Sequence, residues 1–403
     1  MPFFARADIP VPVRPVPMGH TRHIVGFVYF TFICYVSVGL PIAVLPPFVH
    51  LRMGYSVVVA GLMIGIQNIA TVLSRFWSGR ICDHMGAKVS VLWGMAWCTA
   101  SGALLVGVAA LNSIHWLSFA VLIASRLVLG VGESLASTGS SVWGIGSAGS
   151  EHTGKVIGLN GISIYCGVAL AAPLGVILNQ RWGLASIGAV TIVVCAVSFA
   201  IAWRKSPVAI VPGEHFPFIH VMGRVMPYGM ALALGSIGYC IMATFVTLFY
   251  ASRHWNGAAL CLTAYGMGYI AVRLLFINTI SRHGGFPVTM VSLLVACMGM
   301  LMIWGASAPW MVLSGAAING LGFSLVFPAL GVELVKRLPE STRGTVIGIY
   351  TAFFDVSLVV VGPVAGAIIG AYGYASAFLF ALVCLLVSLG ITMVLYQQQA
   401  TRS

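Results

Sequence analysis

The segment Gly154-Lys155-Val156-Ile157-Gly158 returns 190 residues later as Gly344-Thr345-Val346-Ile347-Gly348. At the same offset Gly130, Gly132, Ser134, Leu135 and Val142 fall on Gly320, Gly322, Ser324, Leu325 and Val332, and Pro173 falls on Pro363. No gap is needed between 130–173 and 320–363. A match of this kind reads as an internal copy, so the chain is built from two like units. Both copies lie in apolar runs too long for strands. The surrounding 403 residues are 60% apolar and 7% charged, with a mean hydropathy of +1.02. Soluble domains are about one-quarter charged, so this chain must use lipid as its outer solvent. That excludes a cytosolic enzyme, a secreted disulfide scaffold and a disordered protein. Continuous rather than alternating apolar residues exclude a β-barrel.

Apolar runs between polar punctuation predict spans at 24–47, 57–79, 88–110, 116–147, 155–179, 185–203, 228–250, 257–281, 287–307, 309–335, 345–370 and 375–396. The expected organisation is a tail over 1–23, six helices over 24–203, a central loop over 204–227, six helices over 228–396 and a tail over 397–403. With the amino terminus inside, Arg6, Arg14, Arg22, Arg80, Lys88, Lys155, Arg204, Lys205, Arg224, Arg282, Lys336, Arg337, Arg343 and Arg402 face the cytoplasm. Only Arg52, Arg181 and Arg253 face outward, so both termini are cytoplasmic. An even number of spans per unit keeps the copies in one orientation. The fold class is therefore an all-α polytopic membrane protein of twelve transmembrane helices in two parallel six-helix repeats. Such repeats point to a transporter with its site between the halves.

The net charge of +12 and pI near 9.5 come from these scattered loop cations, not from a nucleic-acid-binding patch. The nine cysteines contain no CxxC pair and read as reduced hydrophobic residues. All ten histidines fall in tails, loops or helix edges, and no HExxH or GxSxG occurs, so no intramembrane enzyme is expected. Without a Walker motif, no ATP-driven pumping is encoded and no cofactor is expected. A transporter-like sensor is a distant alternative, since such a protein usually needs an added soluble signalling domain for which these 403 residues leave no room.

The turn between the second and third spans reads Gly79-Arg80-Ile81-Cys82-Asp83-His84-Met85-Gly86-Ala87-Lys88. Its GxxxDxxGxK pattern is similar to the signature loop of the major facilitator superfamily, with His84 and Ala87 standing where basic residues are usual. The second-half counterpart, Ile277 to Gly285, is degenerate. The resemblance implies that Gly79, Arg80, Asp83, Gly86 and Lys88 gate the two halves, with Asp83 at the positive end of the eleventh helix in the outward-facing state. The fourth span carries Arg126-Leu127-Val128-Leu129-Gly130-Val131-Gly132-Glu133. It resembles the family's fourth-helix motif, which is tied to proton coupling. In the fifth span Gly158, Gly167, Pro173 and Gly175 are similar to the glycine/proline motif of drug antiporters, although Ala172 replaces the expected glycine.

A charge inside an apolar span costs about 2.5–3.5 kcal/mol on insertion scales, so it normally faces a cavity. Arg126 and Glu133 lie two turns apart on one helix face, about 10 Å along the axis, too far to touch directly. Of the eight carboxylates, only Glu133 and Asp355 lie deep in apolar runs. At the 190 offset Asp355 corresponds to Tyr165, so one half alone carries this acid. Two readings of Asp355 stand: it takes up and releases a proton between facing states, or it is permanently paired with an arginine. Arg75 and Arg273 correspond in the second and eighth spans.

The resemblance implies a cavity lined by helices 1, 4, 7 and 10. Its candidates are Tyr29, Phe32 and Tyr35, then Arg126 and Glu133, then Tyr239 and Thr244, then Asn319 and Phe323, with Gln67 and Asn68 from helix 2. An aromatic cleft with such charges suits a modest organic solute. The chain resembles, along nearly its whole length, bacterial inner-membrane members of unassigned substrate grouped with sugar-efflux-like and drug/proton antiporters. The implied function is alternating-access efflux of a small molecule by a monomer, driven by the proton gradient. Proton-coupled uptake or uniport is the alternative.

Overall fold

Apolar chain in lipid can satisfy its backbone N–H and C=O groups within one segment only as helix. The computed structural model describes residues 20–111, 114–149, 153–208, 218–276, 279–336 and 343–400, and among them no strand occurs. The helices are α1 (His20–Ile42), α2 (Val57–Met85), α3 (Ala87–Ala110), α4 (His115–Ala148), α5 (Thr153–Trp182) and α6 (Leu184–Arg204). The second set is α7 (Phe218–Ser252), α8 (Ala259–Leu275), α9 (Gly285–Trp304), α10 in two pieces (Pro309–Phe323 and Val326–Val335), α11 (Arg343–Tyr372) and α12 (Tyr374–Ala400). All but α8 are long and apolar enough to cross a membrane; α8 is apolar but shorter, and a separate turn, Thr279–His283, follows it.

Several boundaries differ from the sequence expectation. Residues 79–85 of the signature turn are helical, and the reversal falls on Gly86 alone, at φ 91°. α7 starts at Phe218, inside the interval read as loop, so the connection between the halves is shorter than 204–227. The first span continues past Ile42 through Leu45–Pro47 and a π-helical turn, Phe48–Arg52, because Pro46 and Pro47 have no N–H with which to carry the α-helical ladder onward. Lys205, just past α6, folds back with Nζ 4.5 Å from the Phe27 ring centre, and partial burial pulls its ammonium pKa below the ordinary lysine value.

The repeat is visible in the packing. α3 packs on α4 and α6, α2 on α4, and α1 on α5; six helices later α9 packs on α10 and α12, α8 on α10, and α7 on α11. Matched glycines make matched contacts. A methyl group on Gly130 would overlap the Gln67 carbonyl of α2, and one on Gly320 would overlap the Tyr265 carbonyl of α8. Gly183 (φ 74°) and Gly373 (φ 84°), also 190 apart, form the turns into α6 and α12 in a region other residues rarely adopt. Among the described residues, twelve helices in two parallel repeats are therefore present.

The outer surface is what lipid requires. Leu73, Val193, Leu274 and Met298 are exposed, whereas Gln67, Arg126, Glu133 and Asp355 are buried. Exposed Trp116, Trp182 and Trp310 sit at external helix ends and Trp77 and Trp203 at cytoplasmic ones, the positions of interfacial aromatic belts. The halves meet along α2–α11 and α5–α8. Gly61 lies against Gly362, Gly65 against Val359 and Gly366 against Val58, all in the external halves of α2 and α11. The Thr263 hydroxyl donates to the Ala169 carbonyl at 2.6 Å, joining α8 to α5. These contacts close the molecule toward the outside.

Candidate functional site

Between these seals lies a cluster of charged and aromatic side chains at mid-span. Arg75 of α2 grips Asp355 of α11: Nε donates to Oδ2, and Nη2 donates to Oδ1 at 3.1 Å. This two-pronged geometry is the strong form of the guanidinium–carboxylate bond. Its partners are 280 residues apart and belong to different halves. Of the two readings of Asp355, pairing with an arginine describes the state seen here.

Glu133 of α4 is held differently. Its Oε2 accepts from Gln67 Nε2 at 2.9 Å and from the Thr71 hydroxyl at 3.3 Å, both on α2. Thr71 also donates to the Gly130 carbonyl at 3.1 Å, a contact that the missing side chain at Gly130 permits. No cation bonds Glu133 among the described residues. Arg126, 2% exposed, donates from Nη2 to Ser125 Oγ at 3.1 Å, while its buried Nε makes no hydrogen bond. As the seven-residue spacing foretold, Arg126 and Glu133 do not touch.

The other wall is aromatic. Tyr165 of α5 packs against Tyr269 of α8 with centroids 3.8 Å apart and ring planes tilted by 34°, and borders Tyr239 of α7 at 5.4 Å and Tyr265 at 5.7 Å. Arg273 donates from Nη2 to the Tyr269 hydroxyl at 2.7 Å and from Nε to the Ser324 carbonyl at 3.2 Å. That carbonyl lies at the break between the two pieces of α10.

The other sequence candidates are placed as follows. Tyr29 bonds Ser198 of α6 at 3.2 Å, and Asn319 donates to the Ala296 carbonyl of α9 at 3.3 Å, so both are engaged within their own halves. Asn68 and Thr244 donate to carbonyls one turn back, Ile64 and Cys240. Phe323 stacks on Phe354 at 6.2 Å. Phe32 and Tyr35 border Gly167 of α5. In the signature turn Asp83 and Arg80 are exposed, and Lys88 donates to the Trp203 carbonyl at 2.7 Å, tying α3 to the end of α6. The amino-terminal side chains of α11, which Asp83 was expected to face, lie outside the described residues.

Sequence reasoning passed over Arg75, Thr71, Tyr165, Tyr265 and Tyr269 as site residues. Arg75 and Arg273 had been singled out only as repeat partners, although the cost argument applied to Arg126 fits them equally. The tyrosines give no such signal, because aromatic residues at helical spacing are ordinary packing.

A two-fold helical repeat with polar side chains gathered between its halves defines a membrane transporter. The sequence profile of the Major Facilitator Superfamily matches residues 27–261 and 229–403. An uncharacterized MFS-type transporter of Burkholderia mallei (strain SAVP1) is 48% identical over 383 residues, covering 95% of this chain and 94% of the relative. Another, of Pseudomonas aeruginosa (strain UCBPP-PA14), is 48% identical over 395 residues, covering 96% and 98%. The chain belongs to the Major Facilitator Superfamily, whose members are transporters rather than enzymes. Among solved structures it is similar to the nucleoside transporter NupG, with TM-score 0.74, 14% identity and coverage of 92% of this chain and 99% of that one. It is also similar to a D-xylose-proton symporter, with TM-score 0.73, 16% identity and coverage of 92% and 96%. At these identities the likeness speaks for the fold alone.

Proposed function

We propose that this chain exports a small organic solute across the bacterial cytoplasmic membrane in exchange for protons, by alternating access. The observation that carries the reading is the Arg75–Asp355 pair, which fastens one half to the other beside the external seal. A proton on Asp355 removes the charge that holds Arg75, so protonation favours separation of α2 from α11 and opening to the outside. A solute entering between the halves from the cytoplasm opposes the same closed pair. Exchange follows when the two compete: solute and proton each take the place of the Arg75–Asp355 contact, so they bind in turn. The solute is carried in the outward half-cycle, and the proton is delivered inside as the pair re-forms. Glu133, bonded only to neutral donors, is a second proton carrier within the first half. One chain supplies both walls of the site, so a monomer is sufficient, and the proton gradient is the energy source with no bound cofactor.

The test uses inverted membrane vesicles with an acid interior, challenged with sugars, amino acids, organic cations, organic anions and antibiotics. Some compound should dissipate the gradient with the wild type and fail to do so with Asp355→Asn or Glu133→Gln. If no compound dissipates it, and solute addition to right-side-out vesicles instead alkalinises the medium, exchange gives way to proton-coupled uptake.

A further inference from the structure

The two contacts that join the halves are related by the repeat, and they differ by one charge. Arg75 of α2 corresponds to Arg273 of α8, and Asp355 of α11 corresponds to Tyr165 of α5. At α2–α11 the guanidinium meets a carboxylate. At α5–α8 the guanidinium is present and the carboxylate is missing. Arg273 spends Nε and Nη2 on Ser324 and Tyr269, and its Nη1 has no partner among the described residues. The fork is aimed at α5: a Cβ on Gly161 would lie 3.7–3.8 Å from Cζ and both terminal nitrogens, and glycine leaves that space unfilled. One turn further on stands Tyr165, within the tyrosine cluster, and the Tyr265 hydroxyl there is buried and makes no hydrogen bond. Among the described residues of these central spans only Arg75 is paired with an acid; Arg126 and Arg273 bond neutral groups, and of these two Arg273 lies at the α5–α8 contact between the halves.

We infer that Arg273 receives an anionic group of the transported solute, a carboxylate in the simplest case, at the place where the repeat omits its acid. A planar fork suits a carboxylate in two-pronged contact. The rings of Tyr165, Tyr239 and Tyr269, packed on one another in this state, part as α5 and α8 separate and then take an aromatic or other planar body attached to it. This rests on the reading of the chain as a solute transporter and is independent of how transport is driven.

The full-length chain in detergent is titrated with radiolabelled benzoate and phenylacetate, with benzamide and benzylamine as competitors. The wild type binds the carboxylates, and neither the amide nor the amine displaces them at equal concentration. Arg273→Gln weakens binding at least tenfold, and Arg273→Lys restores part of it. Tyr165→Asp supplies the missing acid, occupies the guanidinium and removes carboxylate binding with Arg273 intact, which covers the case in which Arg273→Gln fails to fold. Absence of carboxylate binding to the wild type, undiminished binding to a folded Arg273→Gln, or equal displacement by benzylamine overturns the inference. If carboxylates bind through Arg273 yet dissipate no proton gradient, the anion site stands and proton exchange falls. If a cation dissipates the gradient and no carboxylate binds, exchange stands and the anion site falls.

Discussion

Asp355 and Glu133 are both carboxylates in the membrane interior, and the protein offsets their burial in opposite ways. Asp355 is gripped by a guanidinium from the other half, so its partner moves whenever the halves move. Glu133 is held by an amide and a hydroxyl from α2, a helix of its own half, so its surroundings travel with it. A charged partner makes an acid costly to separate, because either member left alone is a buried, uncompensated ion. Neutral donors accept a charged or a protonated carboxyl with less change. In the proposed cycle this difference makes Asp355 the acid that reports conformation and Glu133 the one that changes protonation without unfastening its half.

The largest effect follows from breaking the charged pair one-sidedly. Asp355→Ala or Arg75→Ala should cost roughly 3–5 kcal/mol in stability, read as a lowered melting temperature in detergent. The double variant should cost less than the sum of the two single ones. Additive losses would mean that the pair contributes nothing as a pair. Next comes Gly362→Ala, whose methyl would overlap the Gly61 backbone of α2. Overpacking of this kind costs about 1–3 kcal/mol, here charged to the closed-outside state alone. Alkylation of a cysteine placed at Val58 from the external side should therefore speed up, and an unchanged rate would show that the seal does not depend on this contact. Glu133→Gln keeps shape and hydrogen-bonding capacity, so its melting temperature should move by no more than about 1 kcal/mol implies, while proton-linked flux is lost. A large drop in melting temperature with flux retained would reverse the roles given to the two acids. The smallest effect belongs to Tyr29→Phe, which removes the bond to Ser198 inside the first half, worth about 1 kcal/mol. Transport should be unaltered; impaired transport would return Tyr29 to the pathway.

Much of the fold was legible because it is local. Gly183 and Gly373 mark equivalent turns in the sequence and form them in the structure. Gly130 and Gly320 match by offset and do the same work against α2 and α8. The site was legible only in part. Arg126, Glu133 and Asp355 announce themselves as charges in apolar runs, but nothing in the run around Asp355 names Arg75. Asn319 and Tyr29 look like cavity residues by helix number, yet they are bonded to α9 and α6. Which way a side chain faces depends on the rotation of its helix, and in spans apolar on nearly every side the pattern does not reveal that rotation.

By itself the sequence determined that the chain spans a membrane, how many helices it uses, which ends face the cytoplasm and that one half repeats the other. Those properties depend on the length of apolar runs, the charge of short loops and the spacing of glycines, each of which acts over a few residues. Only the tertiary structure decided that Arg75 meets Asp355 across 280 residues, that Glu133 is left with neutral donors, and that Arg273 repeats the arginine without its acid. Such meetings require two helices at one depth and one angle, and the close contacts of small residues elsewhere in the bundle set both.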